Sequence, residues 1–584
     1  MMYHTLKIRI MKYSNYKIHF RIYNLKFVVL ISVLLLYASC SENALEEKPL
    51  GFLTPSNAYS TPAGAKQGII GLHTYARNFY TNDDKSTVML TTLGTDEAYY
   101  GEDPAGGIMS NYITSIIPTD SNVKLFWTNF YSLVQKANVL IEAVNASETS
   151  SWDSEAQKKA ILAEAMFFRA FAYRGLVTLW GDVPIVKEAF DYAKTDFKRD
   201  TKADVYAFIE EDLKYATANL PVPGKEETPG RITQGAAWHL LSEVYLADSK
   251  YQLAVEAATH VINDYGYALM TKRFGSKLGK DIFGSGDVYF DLFQKENHNL
   301  TENTEKIWVI QVDPYITGGG SFNGERWYGP AYFRMGNTPD GKVAFRGNLY
   351  NGTYTGYSDT LGRPVAWDRP TTYAAYKIWR SDWKKDIRNA KHNIKRDFYF
   401  DNPASIYNGK KIDWKLYSKG ARSNPMADTC QYLFPYFMKV ASPCDHYTDP
   451  ARAGGGSTHK DVYAFRLAET YLLRAEAYLD LNQKDKAAAD INVVRNRAQA
   501  TPVLPEQVNI DYILDERARE LYSEEWRLIT LMRLNLLVSR VRKYNDNPIT
   551  PGLNIQDYNN LWPIPQTQID LNIGADFPQN QGYN

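Results

Sequence analysis

Two distant stretches of the chain repeat one pattern. In LLSEVYLADSKYQLAVEAATHVI, Tyr245 is followed nine residues on by Ala254, then by Ala258 and Val261. In LLRAEAYLDLNQKDKAAADINVV, Tyr478 is followed nine residues on by Ala487, then by Ile491 and Val494. Each stretch reads as two helices joined by a short turn and packed through small residues, the helix–turn–helix logic of a tetratricopeptide repeat. A single such pair cannot bury its apolar face alone, so the pairs must stack on other helices. The two copies lie 233 residues apart, too far for a regular solenoid. Helix pairs embedded in a larger fold are therefore expected.

Other segments supply those partners. Val205, Ile209, Leu213, Ala216 and Leu220 form one apolar stripe at helical spacing, ended by Pro221. FWTNFYSLVQKANVLIEAV and AILAEAMFFRAFAYRGLVTLW have the same character, the second ending at Gly181. Residues 265–460 differ. They are rich in Gly, Pro, Asn, Tyr and Trp, as in YITGGGSFNGERWYGPAYF and NLYNGTYTGYSDTLGRP, and read as loops, turns and short strands. Loops of this size on a rigid helical scaffold usually carry function.

Charge and cysteine usage bound the compartment and the partners. Residues 1–39 hold Lys7, Arg9, Lys12, Lys17, Arg21 and Lys26 and no acidic residue. The rest of the chain keeps 60 basic against 66 acidic residues, which argues against a nucleic-acid binder. A basic n-region followed by FVVLISVLLL and small residues is the secretory-signal pattern, and its apolar run is too short to span a bilayer. The run ends in YASC, which resembles a lipobox with Tyr37 in place of the usual leucine. Residues 1–39 are thus expected to be a lipoprotein signal peptide. Cys40 is expected to be lipidated and to anchor the protein to a membrane, with SENALEE as the start of a tether. Cys430 and Cys444 either form a disulfide across the 13 residues between them or stand as two separate thiols.

Chemical motifs are scarce. No H-E-x-x-H, CxxC or G-x-S-x-G occurs, so no metal, cofactor or nucleophile site is expected. GNTPDGKV approaches a phosphate loop, but Val343 stands where a hydroxyl is needed, and PDG is turn chemistry. Glu516, Glu520 and Glu524 share one helical face beside Arg517, Arg519 and Arg527, which reads as a structural ion-pair network. A glycosidase would need two carboxylates held across a bond, and no pair stands out.

The chain resembles the SusD/RagB family of outer-membrane nutrient-binding lipoproteins of the Bacteroidetes. The matching stretches run in order: AEAMFFRAFAYRGLVTLWGDVPIV, GRITQGAAWHLLSEVYLADSKYQLAVEAATHVI, ENTEKIWVIQV, YAFRLAETYLLRAEAYLDLNQKDKAAADINVVRNRA, ILDERARELYSEEWRL and LWPIPQTQIDLN. Glu525 and Thr530 depart from the glycine and aspartate of many members. The resemblance implies a mostly α-helical SusD-like fold, with four tetratricopeptide-like helix pairs as scaffold and an irregular loop-rich half. It implies one domain over residues 40–584, comprising helical parts at 40–264 and 461–584 and a variable ligand-side part at 265–460. It further implies a surface-exposed protein, lipid-anchored in the outer membrane and without enzymatic activity. Such a protein captures oligo- or polysaccharide for a SusC-like TonB-dependent transporter. The RagB branch implies peptide capture as the alternative.

Sugar recognition needs flat aromatic platforms with polar groups around them. Two loop segments offer that mixture: Asp96, Tyr99, Tyr100 and Asn111 in the first, and Asn323, Arg326, Trp327, Tyr328 and Tyr332 in the second. The first lies where the family often places ligand contacts. From Arg326 to Arg396 there are 14 Lys or Arg against five Asp or Glu. This excess would attract an anionic glycan, unless the cations pair with acidic helices elsewhere or face the transporter.

Overall fold

The structure is a computed structural model that describes residue 54 and residues 58–82, 85–190, 192–347, 349–350, 353–358, 360–413, 428–444 and 460–583. The expected signal peptide and Cys40 lie outside the described residues. Pro55–Asn584 forms one unit, and the account below concerns it alone.

Eight helices make the scaffold: α1 (Pro62–Thr81), α2 (Ser121–Ala146), α3 (Glu155–Trp180), α4 (Lys202–Asn219), α5 (Gln234–Ala247), α6 (Tyr251–Asp264), α7 (Leu467–Asp480) and α8 (Lys484–Arg497). Local chemistry sets their ends. Asp120 accepts from the amides of Asn122 and Val123 at 2.8 and 3.1 Å to start α2, and Ser154 accepts from Gln157 to start α3. Gly181, at φ 73°, ends α3, and Pro221 follows the end of α4. Gly175 lets α2 and α3 approach, since a Cβ there would meet Phe130 Cζ at 2.3 Å.

The helices pair as α1/α2, α3/α4, α5/α6 and α7/α8, and successive pairs pack on one another. The two repeat copies found in the sequence are neighbours in space, because α6 packs directly on α7. The chain leaves the scaffold after Asp264, builds the loop-rich half, and returns through a short strand to the helix it left. The repeat is continuous in the fold and interrupted only in the sequence.

Strands are few and short. β1 (Ala98–Tyr100) pairs antiparallel with β3 (Asp368–Pro370), and β2 (Lys306–Ile310) with β4 (Val462–Arg466). Two-residue ribbons join 349–350 to 353–354 and 394–395 to 436–437. GNTPDGKV is a tight turn closed by Gly341 N donating to Thr338 O at 2.9 Å.

The main core is aromatic. Trp526 is surrounded by Phe79, Tyr80, Phe130 and Phe171, and Trp308 by Phe167, Phe168, Phe171 and Phe465. Beside it runs the expected ion-pair network, fully buried. Glu516 is shared by Arg388, Arg495 and Arg519, and Glu520 by Arg388, Arg466 and Arg497. Both carboxyls would be pushed up by burial, and the surrounding guanidiniums hold them well below the usual carboxylate range instead. At the departing positions, the Thr530 hydroxyl donates to Glu525 Oε2 at 3.1 Å. Cys430 and Cys444 are not bridged. Cys430 is buried, whereas Cys444 is exposed at a left-handed turn with φ 60°.

Candidate functional site

The two loop segments singled out in the sequence converge on the β1–β3 ribbon. Tyr99 lies opposite Arg369 and Tyr100 opposite Asp368, and Gly101 N continues the pairing by donating to Trp367 O at 3.1 Å. The second segment docks beside it, with Val365 N donating to Arg326 O at 2.8 Å and Thr91 hydrogen-bonded to the Tyr328 hydroxyl at 2.5 Å.

Convergence does not mean exposure, and most of the chosen side chains prove structural. Asp96 is fully buried and receives both Arg527 and Arg540, at 2.7–2.9 Å. Burial pushes its carboxyl up, but the two guanidiniums outweigh that and hold it at about 2. It is an anchor between the loop and the two short helices that follow Trp526, Arg527–Arg533 and Leu537–Tyr544. Tyr99, Tyr328 and Tyr332 are buried, and Tyr332 bridges Gly362 O and Ser358 N. Trp327 has 0 % exposure, its ring near-parallel to that of Trp367 at 6.4 Å. Asn323 is buried ahead of the short helix Gly324–Tyr328. Asn111 caps the short helix Tyr112–Ser115 by accepting from Ile113 N. These residues close the loops onto the core, because a ring or amide flanked by glycines can turn inward as easily as outward.

What remains at the surface is a mixed aromatic and charged face. Trp367 is half-buried, whereas Tyr100 is as buried as Tyr99, with only 4 % exposure and its hydroxyl donating to Glu102 at 2.8 Å. The Lys85 ammonium sits 4.9 Å from the Tyr100 ring and 5.0 Å from the Trp367 ring, and Lys85 adopts φ 71°. Arg334 approaches Glu102 at 3.7 Å, and Arg363 lies over Phe333 at 5.7 Å. Arg326, Arg334 and Arg363 stand close enough that burial, reinforced by the other two cations, pushes the Arg363 guanidinium down. The face thus offers ring edges and faces, a carboxylate and several cations, and can hold a polar ligand with an apolar face. Among the residues expected from sequence, Arg326 is partly exposed there, while Tyr100 is buried. Lys85, Glu102, Phe333, Arg334, Arg363 and Trp367 were not singled out. Trp367 lay within the basic stretch, but its pairing with Gly101 spans nearly half of the chain and leaves no local signal.

No group of three His, Cys, Asp or Glu side chains placed to hold a metal occurs among the described residues. No helix among them is long and apolar enough to cross a membrane.

A stacked helix-pair scaffold carrying a loop-built polar and aromatic face defines the class as a helical binding protein. The profile described as the SusD family matches residues 304–583, and one described as starch-binding, associating with the outer membrane, matches residues 75–246. The chain belongs to the SusD family, whose members are binding proteins and not enzymes. It is 24 % identical to SusD-like protein P25 of Formosa agariphila, over 95 % of this chain and 99 % of that one. It is 27 % identical to the starch-binding protein SusD of Bacteroides thetaiotaomicron, over 72 % of each chain. Among solved structures, surface glycan-binding protein A of B. thetaiotaomicron, in complex with laminarihexaose, superposes with a TM-score of 0.63 at 17 % identity, covering 89 % of this chain and 99 % of that one.

Proposed function

We propose that the protein is a cell-surface glycan-capture lipoprotein. On this reading it binds an oligo- or polysaccharide on the face built by Lys85, Arg334, Arg363 and Trp367, with Tyr100 buried behind it, and passes it to a SusC-like TonB-dependent transporter. The supporting observation is the placement of the Lys85 ammonium between two aromatic rings on a face where a carboxylate and arginines surround apolar surface. Aromatic faces cover the apolar side of a pyranose, and the charged groups hydrogen-bond the hydroxyls at its rim. The names of its relatives, a starch binder and a protein in complex with laminarihexaose, support a saccharide ligand.

Calorimetry and affinity electrophoresis against a polysaccharide panel test this. Trp367→Ala should weaken binding about tenfold, the loss of one stacking contact worth about 1.4 kcal/mol. Retention of peptides and of no glycan would replace the reading with peptide capture. Release of reducing sugar, abolished by changing one carboxylate, would replace it with hydrolysis. Anchoring through Cys40 belongs to the same proposal: Cys40→Ala should yield a folded, binding-competent protein free of the membrane, and a variant that stays membrane-bound would refute the anchor.

A further inference from the structure

The segment KIWRSDWKKDIRNAKHNIKR, residues 377–396, is sorted by chemistry in a way the proposed face does not use. Its two carboxylates turn inward: Asp382 accepts from Arg495 and from the Thr501 hydroxyl, both at 2.6 Å, and Asp386 pairs with buried Arg388. Ile378 and Trp379 turn inward as well. Lys377, Arg380, Lys384, Lys385 and Lys391 are exposed. Of these, Arg380 pairs with Asp515 at 3.0 Å, while Lys377, Lys384, Lys385 and Lys391 make no ion pair among the described residues. The surface of this segment is therefore strongly cationic, although the segment itself carries both signs.

Two large aromatics share that surface. Tyr376 is 43 % and Trp383 40 % exposed, with near-parallel rings whose centroids lie 6.1 Å apart at 11°. They are held from beneath by Arg396, whose guanidinium lies 4.6 Å from the Trp383 ring and 5.5 Å from the Tyr376 ring. Arg396 is itself fixed by donating to Ala375 O at 2.8 Å and Asn389 Oδ1 at 2.7 Å. Burial pushes Arg396 down to about 10, which leaves it charged at neutral pH. The backbone between the two rings passes through Arg380 at φ 41°, ψ −126°, a conformation strained for a residue with a side chain. A solvent-facing pair of rings on a fixed support, reached through strained backbone, is built structure and not a chance exposure of hydrophobic residues.

We propose that Tyr376, Trp383 and the lysines around them form a second saccharide site, one that takes a polyanionic glycan chain bearing sulfate or uronate groups. The proposal rests on the reading of the protein as a glycan binder and adds both a site and a ligand class to it. The rings would cover pyranose faces, and the lysine ammonium groups would meet the anionic substituents at long, salt-sensitive range. Part of the basic excess seen in the sequence then has three destinations. Arg388 neutralises buried carboxylates, Arg326, Arg334 and Arg363 belong to the loop face, and the exposed lysines of residues 377–391 belong to this platform.

The test uses the full-length protein with κ-carrageenan and polygalacturonate as anionic probes, laminarin as a neutral one, and vesicles containing anionic phospholipid. Intrinsic fluorescence and affinity electrophoresis are read at low and high salt. The wild type should bind an anionic probe with a shift in tryptophan emission and lose at least tenfold in affinity at high salt. Trp383→Ala and the double substitution Lys384→Gln/Lys385→Gln should each weaken that binding at least fivefold and leave any laminarin binding unchanged. All three positions are exposed, so folding is not at stake, and circular dichroism checks it. Anionic binding that is unchanged in both variants, or lost only in Trp367→Ala, overturns the second site and leaves glycan capture standing. Binding of laminarin but of neither anionic probe does the same, as does binding of the vesicles in place of both. A wild type that binds no polysaccharide overturns both proposals.

Discussion

Trp327 and Trp383 stand in similar loop-rich sequence and have opposite fates. Trp327 follows asparagine, glycine and a charged pair, looks like an exposed platform, and is the centre of a small core with Phe322 and Trp367 around it. Trp383 follows a carboxylate and precedes two lysines, looks like part of an amphipathic structural segment, and faces solvent. The difference lies in what each neighbourhood can bury. Around Trp327 the polar groups find partners within the loops, as the Tyr328 and Tyr332 hydroxyls do, so the rings can close over them. Around Trp383 the carboxylates take the buried positions because buried arginines await them, and the second aromatic is left outside. Trp327→Ala should therefore destabilise the protein by about 3–5 kcal/mol, as truncation of a buried tryptophan does. Trp383→Ala, which loses only the ring contacts with Tyr376 and Arg396, should cost about 1 kcal/mol. Urea unfolding of the two variants side by side checks this, and equal losses would erase the contrast.

The inward half of the same segment gives an effect of similar size. Arg388 alone reaches Asp386, Glu516 and Glu520, at 2.6–2.9 Å. Arg388→Ala leaves three buried carboxylates short of a cation, which should cost about 3–5 kcal/mol. A midpoint unchanged in urea would mean that Arg495, Arg466 and Arg497 suffice.

A smaller effect, with a definite sign in pH, comes from β3. Asp368 is fully buried and makes no ion pair among the described residues. It accepts from the Thr92 hydroxyl at 2.5 Å and the Tyr522 hydroxyl at 2.7 Å, and burial, only partly opposed by those two bonds, pushes its carboxyl up to about 7. Its folded-state pKa is above its unfolded value, so its contribution to stability is full below about pH 4 and is lost as pH rises through about 7. Asp368→Asn should remove that loss, making the variant more stable than the wild type at pH 8 by on the order of 2–4 kcal/mol. Melting temperatures of both proteins from pH 4 to 8 should diverge as pH rises. Parallel curves would place the proton elsewhere in the cluster of Glu97, Tyr328 and Tyr522.

The helical scaffold was legible in the sequence because its signals are local. The Val205–Leu220 stripe ended by Pro221, the stop at Gly181, and the Tyr245 and Tyr478 repeats each lie within a few residues of the structure they specify. The ion-pair network was legible in kind, since Glu516 and Glu520 share a helix face. Arg388 and Arg466, which complete it, arrive from distant loop and strand segments. The binding face was legible only as two segments. Residue type and turn-rich surroundings located the loops, but whether a ring faces in or out is decided by partners far along the chain. Asp96 shows this most clearly: its place in an aromatic loop suggested a ligand contact, and its partners Arg527 and Arg540 lie near the other end of the sequence.

The smallest predicted effect probes the loop face itself and sets it against the platform. Lys85 is half-buried at a left-handed position ahead of a short helix, with its ammonium resting near two rings and making no ion pair among the described residues. Cation–π contacts at such sites contribute about 0.5–1 kcal/mol. Lys85→Gln should therefore leave the urea midpoint nearly unchanged. If the ammonium hydrogen-bonds a neutral sugar hydroxyl, laminarin affinity should fall only a few-fold, with little dependence on salt, since one cation facing a neutral ligand has no charge to screen. The lysine substitutions on the platform are expected to behave in the opposite way, strongly salt-dependent with anionic probes and silent with laminarin. A Lys85→Gln loss that grows at low salt would mean that the loop face, too, reads anionic groups, and the division between the two surfaces would then rest on their aromatic geometry and not on charge.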